Sequence, residues 1–107
     1  MAFFSLEKLI NMHDGYRKQF VINRQELLLA QHLGEHFIMQ ANCPHRHWPL
    51  QAAVINEGVI LCKKHGMSFN LTTGQPANSA AYDCKNLKLY NVAYEGNSIG
   101  IDSNELL

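Results

Sequence analysis

At 107 residues, 47% of them hydrophobic, the chain has the length of one domain and enough apolar material for one core. Nine Lys plus Arg balance nine Asp plus Glu, so the overall charge gives no reason to expect nucleic acid or an anionic membrane as partner. Three widely separated cysteines exclude a secreted disulfide framework and favour a reducing compartment, where neighbouring Cys and His are better read as metal ligands.

The opening stretch MAFFSLEKLINMHDG is interrupted by Glu7 and Lys8, leaving an apolar run too short for the core of a signal peptide or for a membrane span. A soluble, cytoplasmic protein is expected, with one short helix around Ser5 to Asn11. Tyr16 to Ile22 (YRKQFVI) alternates and carries β-branched and aromatic residues; ELLLAQ and HFIMQA follow, separated by the turn Leu33-Gly34-Glu35. These three read as a meander. AAVI and VILC flank Asn56-Glu57-Gly58, MSFNL runs into Thr72-Thr73-Gly74-Gln75-Pro76, and LKLYNVAY and SIGID flank Glu95-Gly96-Asn97. Short strands at this spacing predict an all-β antiparallel sandwich or barrel rather than βαβ units. A single domain is expected over 1–107, with the segment of about 42–79 as an elaboration within it.

Two loops carry the chemistry. Cys43-Pro44-His45 follows the strand ending at Ala41, and Cys62-Lys63-Lys64-His65-Gly66 follows the strand beginning at Val59. Each offers one thiolate and one imidazole. Sixteen residues separate His45 from Cys62, enough for a return segment and a hairpin, so the two tips can come side by side as one Cys2His2 site. A structural zinc finger usually pairs like with like. Here the pairs are mixed, as a two-iron clamp requires when both cysteines bind one iron and both histidines the other.

C-x-H, sixteen residues, then C-x-x-H-G resembles the Rieske iron–sulfur signature, carried by Cys43, His45, Cys62, His65 and Gly66. Phe69 to Pro76 (FNLTTGQP) is similar to the family's strand and Pro-containing loop near the cluster, and LKLYNVAYEGNSIGID to its C-terminal hairpin. The resemblance implies a Rieske-like sandwich with a cluster-binding subdomain of two ligand loops and one [2Fe–2S] cluster per chain. Cys43 and Cys62 would hold the inner iron, His45 and His65 the outer one. Two ferric ions, two sulfides and two thiolates sum to zero charge with neutral imidazoles, whereas a four-cysteine cluster starts negative. That difference is why Rieske potentials, roughly −150 to +300 mV, lie above the about −400 mV of plant-type ferredoxins.

Pro44 fixes the backbone between two ligands, and Gly66 allows close approach or positive φ. In the respiratory branch a Ser two places and a Tyr four places after the second His donate hydrogen bonds to the cluster and its cysteine. Met67 and Phe69 stand there and cannot donate, and the respiratory loops' extra disulfide cysteines are missing. The resemblance is therefore to the ferredoxin and oxygenase branch, with a potential in the lower part of the range. At this length no mononuclear-iron domain is expected. The implied role is a one-electron carrier and not an enzyme, passing electrons transiently from a flavin-dependent reductase to an oxygenase, as a dioxygenase component does, or to a similar acceptor.

Two other readings remain open: a small Rieske-like subunit of a nitrite reductase-type enzyme, and a structural zinc-binding module. Arg46, His47, Trp48, Lys63 and Lys64 are candidates for the partner surface, with Arg46, Lys63 and Lys64 forming a positive collar. Cys84 reads as a small buried hydrophobe. His13, His32 and His36 read as surface or satisfied strand residues.

Overall fold

The computed structural model describes residues 3–44, 49–62, 66–78 and 85–106. Among the described residues ten strands form three antiparallel sheets: β1 (Phe3–Lys8), β2 (Arg17–Ile22), β3 (Gln25–His32), β4 (Glu35–Gln40), β5 (Val54–Asn56), β6 (Val59–Cys62), β7 (Met67–Asn70), β8 (Leu89–Tyr90), β9 (Val92–Glu95) and β10 (Ser98–Asp102). The sheet orders are β1-β10-β9, β2-β3-β4-β8 and β5-β6-β7. The predicted all-β antiparallel class is the one observed, and no helix among the described residues is long and apolar enough to cross a membrane.

The four-stranded sheet is the middle layer. In β3 the side chains alternate between two cores: Leu27 and Leu29 pack with Ile38, Ile99 and Ile101, while Leu28 and Ala30 pack with Met39, Ile55, Ile60 and Phe69. A strand covered on both faces loses the polar half of its alternation, which is why Glu26 is followed by an unbroken LLLA. Its partners follow the predicted meander, with Gln25 opposite Ile22 and His32 opposite Glu35. The β2–β3 hairpin turns on Asn23 and Arg24, both at positive φ (50° and 66°), the two-residue geometry that matches strand twist.

Two expectations are corrected. Ser5 to Asn11 is not a helix: β1 extends to Lys8 and only Leu9–Asn11 forms a 3-10 turn. Pairing with β10 decides this, and a bulge between Ser5 and Glu7 lets Leu6 pack against the core of Ile99 and Ile101. LKLYNVAY is not one strand either. The chain leaves the middle sheet after Tyr90 and joins β10 from Val92, with the Asn91 N–H drawn out of the ladder to the Glu105 carboxylate at 3.1 and 3.2 Å.

The β5-β6-β7 sheet is built from sequence lying between β4 and β8, which are themselves paired through Ile38–Tyr90 and Met39–Leu89. The insertion therefore starts and ends at one place on the middle layer. Both cysteine loops belong to it.

Candidate metal centre

The first loop leaves β4 through a closed base. Ala41 N–H donates to Glu26 O at 3.0 Å, Leu50 N–H donates to Ala41 O at 2.8 Å, and Asn42 forms an antiparallel bridge with Pro49. Asn42 is fixed twice more, donating Nδ2–H to Glu26 Oε2 at 2.6 Å and accepting from Gln40 Nε2 at 2.8 Å on its carbonyl. Just inside this base, Cys43 is fully buried with Leu50 in the core that also holds Cys62, Met67 and Phe69. Pro44 follows, half-buried, in a turn.

The second loop is a tight reversal between β6 and β7. Cys62, last in β6, is opposite Met67, first in β7, and Gly66 N–H donates back to Cys62 O at 2.9 Å. Gly66 sits at φ +67°, the left-handed conformation expected from its place after the Cys-x-x-His spacing. An added Cβ there would meet nothing within 4 Å among the described residues, so the requirement they set is conformational rather than steric.

The predicted Pro-containing segment closes the same edge. Pro76 bridges Phe69, Asn70 N–H donates to Gln75 O at 2.8 Å, and Ala77 N–H donates to Ser68 O at 2.8 Å. Asn78 then spans the second loop's exit, donating Nδ2–H to Gly66 O at 2.7 Å and accepting Ser68 N–H on Oδ1 at 3.2 Å. Reading the sequence did not single out Asn78. Its only local hint is an amide side chain two residues after a proline.

Cys43 and Cys62 are thus free, buried, and brought to one core from loops 19 positions apart in the chain. Two thiols in one apolar wall at two loop bases suit the inner half of a two-iron site: a thiolate pair gains charge-assisted metal bonds there, and the wall keeps water from them. Met67 and Phe69 are buried beside them and bring no hydroxyl. His45, His65, Arg46, His47, Trp48, Lys63, Lys64 and Cys84 lie outside the described residues. Among the described residues no three metal-binding side chains converge.

The remaining histidines stand apart from these loops. His13 is exposed, its Nδ1 3.0 Å from Asp14 O. His36 is held between Tyr94 Oη at 2.6 Å and Gln31 Oε1 at 3.0 Å. Gln31 gives an Nε2–H to Asp14 Oδ1, and its Oε1, which can only accept, takes the Nε2–H of His36. His32 differs from expectation: its Nε2 is buried without a hydrogen-bond partner among the described residues.

Fold and loops together define a β module whose inserted sheet carries two loops with a buried cysteine at the base of each. The chain belongs to the Rieske [2Fe–2S] domain family, whose model matches residues 4–91, and the cofactor of that family is the [2Fe–2S] cluster. It is similar to the ferredoxin component of an alkene monooxygenase system from Xanthobacter autotrophicus, 31% identical over 71 residues, which are 65% of this chain and 58% of that protein. The match thus spans little more than half the length of that curated relative. In fold it is similar to the ferredoxin of carbazole 1,9a-dioxygenase from Nocardioides aromaticivorans IC177, with TM-score 0.78 and 20% identity, covering 94% of this chain and 97% of that one. A solved complex of reduced oxygenase and oxidized ferredoxin in carbazole 1,9a-dioxygenase contains a similar chain, with TM-score 0.77 and 20% identity, covering 92% of this chain and all of that one.

Proposed function

We propose that the protein is a one-electron carrier in which Cys43, His45, Cys62 and His65 hold a Rieske [2Fe–2S] cluster, and that it passes electrons from a flavin-dependent reductase to an oxygenase. The observation that carries this reading is the burial of Cys43 and Cys62 in one core at the bases of two separate loops. When bound, the cluster supplies a single electron-accepting centre. The chain's own part is to fix the two thiolates inward and to place Met67 and Phe69, whose side chains cannot donate a hydrogen bond, beside them. Similarity to ferredoxin components of a monooxygenase and a dioxygenase system supports the assignment of partners.

On this reading the chain is one domain over 1–107, with its cluster-binding subdomain at about 42–79, and it works in the cytoplasm. Pro44, Gly66 and Pro76 shape the cluster's surroundings. Arg46, His47, Trp48, Lys63 and Lys64 are the candidates for the surface an acidic redox partner meets, and charges at the rim of such a contact act mainly on encounter rate. Reversing Lys63 and Lys64 to Glu then weakens the salt dependence of electron transfer; an unchanged salt dependence removes the collar. The function itself is tested by redox titration and by coupling. The reconstituted protein titrates as a one-electron centre below about 0 mV, in the lower part of the Rieske range, and sustains turnover when placed between a flavin reductase and an oxygenase. A midpoint well above 0 mV removes the branch assignment, and a stable complex with a much larger haem-containing chain would favour an enzyme-subunit role instead.

A further inference from the structure

Arg17, the first residue of β2, is half-buried and reaches out of the meander to the segment that leaves the first ligand loop. Its Nη1 donates to Ala53 O at 2.9 Å and Gln51 O at 3.1 Å, with a longer approach to Leu50 O at 3.4 Å. One Nη carries two N–H groups, so the two short bonds use both and the third oxygen shares them. These carbonyls are gathered on one side by the turn in which Ala53 N–H donates to Leu50 O at 3.0 Å.

The arrangement is costly for an ordinary loop. Desolvation is the one influence on the Arg17 guanidinium and pulls its pKa below the usual arginine value, with no carboxylate of the described residues offsetting it. Its Nε is buried without a partner among the described residues. A partly desolvated cation with an orphan donor is costly, and the bonds Arg17 does make all go to one short segment. What it holds is the outgoing limb of the first ligand loop: Leu50 is tied to Ala41, Pro49 to Asn42, and Cys43 lies between them. The incoming limb is moored separately, by Glu26 through Asn42 and Ala41.

We propose that Arg17 is a positioning residue for the first ligand loop, its guanidinium fixing the carbonyls of residues 50–53 so that Cys43-Pro44-His45 is offered to the cluster in one geometry. The inference rests on the reading of that loop as half of the cluster site. It assigns a role in cluster retention to a side chain 26 positions before Cys43 whose hydrogen bonds go to backbone carbonyls of residues 50–53.

Three forms of the full-length holoprotein test it: Arg17→Met, Arg17→Lys, and Ile101→Val, which trims a buried methyl in the layer remote from both loops. Each is followed by thermal melting, by the EPR spectrum of the reduced form, and by the rate at which an iron chelator bleaches the cluster. Arg17→Met is expected to bleach about tenfold faster than wild type, the rate equivalent of one lost charge-assisted bond, and to broaden the EPR lines. Arg17→Lys, which keeps the charge but not the spread of donors, falls between. If Arg17→Met bleaches no faster than Ile101→Val at matched loss of melting temperature, and its EPR lines stay sharp, Arg17 is structural only and the proposal is overturned. Should Arg17→Met not fold, Arg17→Lys decides by the same comparison. A wild-type protein with no Rieske signal would instead remove the cluster reading, and this proposal with it.

Discussion

Replacing Asn78 by alanine removes both hydrogen bonds that lock the second ligand loop to the segment after Pro76. Gly66 O, 2.7 Å from Nδ2, lies in an exposed setting and regains water, so its loss costs little. Ser68 N–H, 3.2 Å from Oδ1, is partly buried, and stranding it costs about 1–3 kcal/mol. Together the expected loss is about 2 kcal/mol, which for a domain of this size lowers the melting temperature by roughly 8–16 °C. Because the two bonded groups flank Met67, two residues after His65, cluster retention should fall with it. Asn78→Asp separates the two contacts: it keeps an acceptor for Ser68 N–H but turns a carboxylate oxygen towards Gly66 O, so it should lose the cluster faster than its thermal stability predicts. The assay is a thermal melt of the apoprotein beside chelator bleaching of the holoprotein. A melting temperature for Asn78→Ala within about 2 °C of wild type, under half a kcal/mol, would refute the reasoning, since it would mean water replaces the side chain at both ends.

Two further outcomes follow from other parts of the molecule. In Gly100→Ala the new Cβ would stand 2.0 Å from Phe4 O and 2.9 Å from the Phe3 ring, so the β1–β10 ladder must part, at about 3 kcal/mol or more; in Gly66→Ala nothing lies within 4 Å and the cost is the left-handed backbone alone, about 1–2 kcal/mol. Thermal melts showing the reverse order would contradict the packing of β1 on β10. Glu7 accepts hydrogen bonds from Asn11, Tyr16 and the Lys8 N–H, which bring its pKa from the ordinary 4.5 down to about 2. A depressed folded-state pKa contributes stability that is present above pH 4.5 and lost as pH falls towards 2. Glu7→Gln should therefore flatten the acid decline in melting temperature within that window and leave the slope above it unchanged.

How much of this was readable in the sequence varies with distance along the chain. The meander, the hairpin at Asn56-Glu57-Gly58 and the position of the two cysteine loops follow from local signals: alternation, turn residues, and Cys at the end of a strand. That β3 is covered on both faces was readable only as a missing alternation, because LLLA suits any buried strand. Ser5 to Asn11 misled because apolar residues spaced three and four apart satisfy a helix and a bulged edge strand alike, and only β10 chooses between them. The break at Asn91 depends on Glu105, fourteen residues on. Arg17 and Asn78 were invisible for the same reason. Arg17 reaches carbonyls 33 to 36 positions away and Asn78 one that is 12 away, and neither residue type at its place carries a local signature of what it holds.

The central claim, that Cys43 and Cys62 supply one iron while His45 and His65 supply the other, is tested most directly by EPR with nitrogen hyperfine detection on the dithionite-reduced protein. The account predicts a red-brown protein with a Rieske signal coupled to two nitrogens, and loss of one coupling in His45→Cys and of one in His65→Cys. A colourless, zinc-loaded protein, or a reduced cluster with no coupled nitrogen, would contradict it.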